Sequence, residues 1–231
     1  TNINNGYPVL TWQVPQPVTG TFSFTAQASG AFLCAPQNNV EVSSDLAESY
    51  GFDDKVAYTD AVSPLDVLVK AHEVIFGEAF TKETASEYLA VSSSGTSSKL
   101  FGVATYANGF FVNNAYPNDG TASAYGGYNG YLLNNMPLMD GDLVEFFLYQ
   151  DASTYTDSYA WMTQDGTYTR TLTAQAGRNV TVQVQAVMAM MGYMYKDEAA
   201  MVAAGTGVAG AQLALVNAET GELTDITGAV T

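Results

Sequence analysis

Positive charge and sulfur are what this sequence has least of. Its 231 residues include 7 Lys and Arg against 23 Asp and Glu, a formal net charge of −16. A field of that sign repels nucleic acid and anionic membrane surfaces, so neither is expected as a partner. There is one cysteine, Cys34, so an internal disulfide is excluded. Flanked by Leu33 and Ala35 on an expected strand, Cys34 reads as a core residue rather than a reactive thiol. Mature exported proteins carry an even number of cysteines or almost none, so the count permits export without demanding it. One histidine beside one cysteine leaves almost no ligands for zinc. No apolar run approaches the roughly 18 residues that span a bilayer, so membrane insertion within this chain is not expected. Thr1 opens the chain with neither a basic segment nor an apolar one behind it. Any export signal is therefore expected to have been removed or left out.

What is abundant points outward. Hydrophobic residues make up 47% of the chain, which argues for a packed core over intrinsic disorder. Tyrosine (15) and glycine (21), with many Ser, Thr and Asn, outnumber the basic residues. That composition is the habit of acidic extracellular β-modules, kept soluble by repulsion; an acidic cytosolic protein is the alternative. The length suits one large domain or two small ones.

Three prolines (Pro8, Pro15, Pro17) in the first twenty residues give an extended lead-in over 1–20, with Trp12 as a candidate anchor into the core. Alternation then begins at Thr21-Phe22-Ser23-Phe24-Thr25-Ala26, and Ser29-Gly30 is a turn signal. Residues 31–35 and 40–42 follow as an opening hairpin. The clearest helix spans 63–76. Ser63 is its cap, Pro64 its first residue and Asp66 sits favourably for the dipole; Leu65, Leu68, Val69, His72 and Phe76 form one face and Gly77 stops it. A shorter helix is expected over 82–89, capped by Thr81. Strands return at 109–113 and, most strongly, at 143–149. Between them lie a loose loop through Asn118-Asp119-Gly120, a Gly/Tyr tract over 125–131, and a tight turn at Asp140-Gly141-Asp142.

From about Gly166 the pattern becomes strand after strand. Residues 168–175 and 180–187 read as one hairpin, 211–216 and 223 onward as a second, with a helix over 196–204. The expected organisation is a lead-in over 1–20, an α+β domain over 21–162 and an all-β sandwich-like module over 163–231. The chain stops at Thr231 where another strand is due, so a piece of a longer protein is expected.

Three stretches taken together carry a resemblance: Ser63-Pro64-Leu65-Asp66-Val67-Leu68 opening a helix, Gly109-Phe110-Phe111-Val112-Asn113 before the Gly/Tyr loop, and Asp140-Gly141-Asp142-Leu143-Val144-Glu145-Phe146-Phe147 closing the module. Over roughly 20–162 the chain resembles the transcobalamin-C-terminal-like β-grasp family, which recurs in large surface proteins of Gram-positive bacteria. Where that family has Asn-Gly after its strand, this chain has Asn113-Asn114. The tail, with Gly210-Ala211-Gln212-Leu213 and Thr220-Gly221-Glu222, resembles the Ig-like or prealbumin-like modules that follow in such proteins. The resemblance implies a β-grasp fold and surface display; relatives among cobalamin carriers imply a corrinoid only distantly, and no residue here demands one.

Candidate chemistry is sparse. A Ser-His-Asp triad would need His72, which falls on the apolar helix face, and no G-x-S-x-G accompanies it. Asp140 with Asp142, and Asp151 with Asp157, are the carboxylate pairs a glycosidase would need, though turn carboxylates are usually solvated. The same four are weak calcium candidates, without a twelve-residue EF-hand loop. Tyr125, Tyr128, Asn129 and Tyr131 form the best binding surface, since exposed rings stack on sugars or anchor a protein partner; tyrosines packing back on the module are the plain alternative. Met188, Met190, Met191, Met194 and Met201 read as core or buried interface. Asn179-Val180-Thr181 matches a glycosylation sequon but reads as a plain strand entry. A lysine–asparagine crosslink has no lysine in an evidently buried strand. No cofactor is called for. The expected function is a non-catalytic adhesive or spacer module at the cell surface, meeting a host or neighbouring-cell protein or glycan. A small-ligand or carbohydrate-binding module is the second reading and a glycoside hydrolase the weakest.

Overall fold

Two-residue turns set the register of the strands. The computed structural model describes residues 16–56, 61–173, 175–212, 214–217 and 219–225. Its elements begin with β1 (Thr19–Ala28), β2 (Ala31–Ser43), α1 (Leu46–Ser49), α2 (Pro64–Phe76), α3 (Ala85–Tyr88), β3 (Ala90–Val91), β4 (Ser97–Leu100), β5 (Val103–Ala104) and β6 (Asn108–Val112). There follow β7 (Asn118–Ala122), β8 (Tyr128–Gly130), β9 (Leu143–Leu148), β10 (Ser158–Gln164), β11 (Thr167–Thr169), β12 (Val182–Met188), α4 (Glu198–Ala204), β13 (Thr206–Gly207), β14 (Ala214–Val216) and β15 (Leu223–Asp225). Strands dominate and helices are few. Ser29 with Gly30, Phe101 with Gly102, Asn113 with Asn114 and Asp165 with Gly166 each place two successive residues at positive φ. That is the type I′ geometry, whose twist matches an antiparallel pair. Asn113-Asn114 thus turns as Asn-Gly would: Val112 and Ala115 exchange backbone hydrogen bonds across it at 3.0 and 2.9 Å.

The chain divides into two compact units, each made of separate segments: 1–23, 38–104 and 132–142 in one, 24–37, 105–131 and 143–231 in the other. The expected boundary at 162 falls inside β10. Trp12 and most of the 1–20 lead-in lie outside the described residues, as do Leu213 and everything beyond 225, where the last strand was expected to run on.

In the first unit α2 forms as its sequence dictates. Ser63 Oγ accepts from the Asp66 N–H and the Asp66 carboxylate accepts from the Ser63 N–H, a capping box, with Pro64 behind it and Gly77 at the far end. Such a cap contributes about 1 kcal/mol. Leu65, Val67, Leu68, Val69 and Ala71 are fully buried, so the helix is sunk in the core rather than laid against it. The second helix is shorter than expected, Ala85–Tyr88 instead of 82–89. Thr84 Oγ1 takes the Thr81 N–H and gives its hydrogen to the Ala79 carbonyl, which holds the preceding residues in a turn.

The sheets correct two expectations. Residues 31–35 and 40–42, expected as an opening hairpin, form one strand that runs through Pro36. β2 lies at the edge of a sheet ordered β2-β1-β9-β6, where a residue with no N–H is tolerated. The stretches 168–175 and 180–187 are not partners either: the sheet order is β11-β10-β12-β13. β10 intervenes, pairing with β11 from Met162 to Gln164 and with β12 along its whole length. β14 and β15 pair as expected, Ala214 opposite Asp225. Phe111, Trp161, Val187, Ala189 and Met201 make the core cluster, ringed by half-buried tyrosines. Asn118-Asp119-Gly120, expected as a loop, lies in β7. Among the described residues no helix is long and apolar enough to cross a membrane.

Candidate functional site

The Gly/Tyr tract is the far side of a hairpin. β7 and β8 pair with Asn118 opposite Gly130 and Ala122 opposite Tyr128, with a bulge between. The tip closes through Ser123 N–H to the Gly127 carbonyl at 2.9 Å. Tyr125 stands at that tip 98% exposed, its N–H held by Ser123 Oγ at 3.2 Å. Asn129 Nδ2 donates to Thr121 Oγ1 at 2.8 Å, and Tyr131 N–H to the Pro117 carbonyl at 2.9 Å. Tyr128 and Tyr131 are half-buried. Two glycines let the hairpin lie close to the rest of its unit: a Cβ on Gly127 would run into the Tyr193 backbone, and one on Gly130 into the Tyr116 ring. The four residues read from sequence therefore share one hairpin, and only Tyr125 projects fully.

The carboxylates are committed to backbone. Asp140 Oδ1 accepts from the Thr21 N–H at 2.6 Å, and Asp142 Oδ2 from the Met139 N–H at 2.8 Å. Asp151 accepts from the N–H and hydroxyl groups of Ser153 and Thr154, which hold its carboxyl well below the usual range. Asp157 accepts from the N–H groups of Gln150 and Asp151. Each works as a turn clasp. Among the described residues no group of three or more His, Cys, Asp or Glu is placed to hold a metal ion. Of the methionines, Met201 is wholly buried while Met188, Met190 and Met194 are about two-fifths exposed, so the segment is part core and part surface. Cys34 is buried, and desolvation pushes its thiol up to about 11.

A polar network in the second unit was not read from sequence. Tyr159 OH lies against Glu145 Oε2 and 2.7 Å from Asn114 Oδ1. Asn114 Nδ2 reaches Tyr168 OH and, at 3.2 Å, Glu198 Oε1. Tyr168 OH donates to Glu198 Oε1 at 2.6 Å, and Arg170 closes the chain on Glu198 at 2.7 Å and on the Asn113 carbonyl at 2.6 Å. A phenol has one hydrogen and Tyr159 faces two acceptors. With that hydrogen on Asn114, the contact to Glu145 needs the carboxyl to keep its own proton. Burial, the largest influence on Glu145, pushes it in that direction. Along that path the donors run one way, toward Glu198 beside Arg170. Glu198, despite partial burial, is held low by Tyr168, Arg170 and Asn114.

The first unit holds two buried titratable sites. Ser63 Oγ touches Asp54 Oδ2, lies 3.1 Å from Asp66 Oδ2 and accepts from the Asp66 N–H. Asp66 Oδ1 takes the Ala47 N–H and Asp54 Oδ1 the Val56 N–H, both at 2.9 Å. One serine hydrogen cannot serve two carboxylates, so the pair holds a proton. Desolvation, then the charge of Asp54, pushes Asp66 up to about 8, and desolvation raises Asp54 too. His72 is fully buried, with Nδ1 on the Leu68 carbonyl at 2.8 Å and Nε2 accepting from the Phe101 N–H at 3.0 Å. Its ring stacks on Phe101 at 4.5 Å between centroids, and burial depresses it to about 4. Both ring nitrogens are occupied, and His72 serves the packing.

No protein-family model, curated protein or solved structure matches the chain.

Proposed function

We propose that this chain is a non-catalytic recognition or spacer module of an exported cell-surface protein, working by contact with a protein or glycan. The observation that carries this is Tyr125, almost wholly exposed at the tip of a hairpin that is otherwise packed down by its glycines. A large ring held out from a fixed support loses little conformational freedom on binding, the economy that aromatic anchors at recognition surfaces exploit. The acidic, lysine-poor composition and the β-rich architecture support an extracellular setting. The finer assignment, a β-grasp-like α+β part over 21–162 and an Ig-like or prealbumin-like tail over 163–231, rests on the sequence resemblance. The capped helix α2 and the Asn113-Asn114 turn fit it. That the candidate carboxylates clasp turns and that His72 is sealed in packing favour binding over hydrolysis.

The test is a glycan array and a panel of surface proteins probed with the wild type and with a Tyr125→Ala, Tyr128→Ala, Tyr131→Ala triple variant. Selective binding that drops at least tenfold in the variant is expected. Turnover of a polysaccharide that disappears in Asp142→Asn or Asp151→Asn would replace this reading with the hydrolase.

A further inference from the structure

The second unit contains a cavity of about 350 Å³ lined by the ends of β1, by β9 and by the start of β10. It lies at the small end of the 300–1,000 Å³ range typical of small-molecule sites. No Lys, Arg or His lines it. Its two carboxyl groups are not equivalent. Asp157 has both oxygens taken by backbone N–H groups. Glu145 meets Tyr159 through Oε2, while its other oxygen has no hydrogen-bond partner among the described residues. The amides of Gln27 and Gln150 and the hydroxyls of Ser29 and Ser158 line the same space, also without partners among the described residues. Phe147 supplies an apolar wall, and its ring lies across Gly109, where any Cβ would strike it.

We infer that this cleft is a binding site for a small neutral polyhydroxylated ligand of monosaccharide size. Size, sign and valence each contribute. Unpaired amides and hydroxyls offer donors and acceptors together, as vicinal diols require, and the aromatic wall suits the C–H face of a sugar ring. An anionic ligand would meet no compensating charge. An ammonium group would want an ionised carboxylate with a free oxygen. Asp157 is already clasped by two backbone N–H groups, and burial pushes Glu145 toward its neutral form, leaving its second oxygen as an acceptor. The site is separate from the Tyr125 hairpin tip and does not depend on it.

Saturation-transfer NMR and titration calorimetry with glucose, galactose, mannose and N-acetylglucosamine, with butylammonium as the cationic probe, test the assignment. At least one sugar is expected to bind. Ser158→Trp, which fills the cleft from an exposed position, should weaken it more than tenfold. Glu145→Gln, the neutral isostere, should change it less than threefold, and Glu145→Leu should abolish it, with unfolding midpoints confirming that each variant is folded. No binding of any of the four sugars overturns the inference, as does binding that survives Ser158→Trp or butylammonium binding tighter than every sugar. Sugar binding lost in the tyrosine triple variant but kept in Ser158→Trp would place recognition at the hairpin and remove the cleft alone.

Discussion

Between pH 6.5 and 9 the protein is expected to lose about 2 kcal/mol of stability, and Asp54→Asn to lose markedly less. Asp54 and Asp66 share Ser63 Oγ in a buried site, and no basic group among the described residues answers them; the other charge acting on Asp54 is that of Glu48 in α1, of the same sign. A carboxyl raised on folding favours the native state while protonated. Its contribution is complete below the ordinary carboxylate value near 4 and is lost as pH rises through the folded value of about 8. At about 1.4 kcal/mol per unit, the 1.5 units above pH 6.5 give the figure stated. The asparagine of the variant would hand an amide hydrogen to Ser63 Oγ and keep its oxygen on the Val56 N–H, copying the protonated acid. Ser63 would then donate to an ionised Asp66. Glu145, also raised by burial, acts in the same direction in both proteins, so the wild-type-minus-variant difference isolates the pair. Denaturant midpoints across the range would show it. Parallel profiles for wild type and Asp54→Asn would mean that the pair holds no proton.

His72→Ala is expected to cost 3–5 kcal/mol at neutral pH. The imidazole is stacked on Phe101, lies 5.2 Å from Phe80 and 5.8 Å from Phe76 between centroids, and is the acceptor for the Phe101 N–H. Its loss leaves both a cavity and an orphaned donor. Phe101 sits at φ 50°, a left-handed conformation unfavourable for a bulky residue, and the hydrogen bond and stacking from His72 support the Phe101-Gly102 turn that requires it. The variant also changes the acid limb. A histidine depressed to about 4 is neutral in the fold while the unfolded chain takes up its proton near 6.5, so stability falls as pH drops between those values, by about 3 kcal/mol. In the same window the Asp54–Asp66 pair gains stability on acidification, as does Glu145, and these offset the histidine in the wild type. His72→Ala should therefore become more stable from pH 6.5 to 4.5, and Asp54→Asn less stable. A variant profile as flat as the wild type's would deny His72 this role.

The sequence was most legible where local chemistry decides structure. Ser63, Pro64, Asp66 and Gly77 announce α2 from its own residues, and His72 at helical spacing announces a core histidine. The strand over 143–149 and the pair formed by β14 and β15 were equally plain. Readings failed where a distant strand decides. β10 follows a Ser/Thr/Asp-rich loop and carries hydroxyls among its apolar residues, so 168–175 and 180–187 looked like neighbours. The turn signal Asp165-Gly166 was there to show that 158–164 leads into 167–169. Residues 31–35 and 40–42 looked like a hairpin because nothing local says that β2 runs on through Pro36 along a sheet edge. The Glu145, Tyr159, Asn114, Tyr168 and Glu198 network had no signal at all, since its members are up to 84 positions apart and meet only through pairing. At the tyrosine tract the sequence placed the rings together, but which of them projects depended on where Gly127 and Gly130 come close to their neighbours.

Pro36 has a further consequence for the protein at high concentration. An outermost strand offers its free N–H and C=O groups to any similar strand nearby, which is how ordered aggregates begin. In β2 one donor of that row is missing and a ring stands in its place, so a second chain cannot zip along the strand without a gap. Crowded copies would keep apart along that margin by sterics as well as by charge. Replacing Pro36 by Val or Thr would restore the continuous template and invite self-assembly.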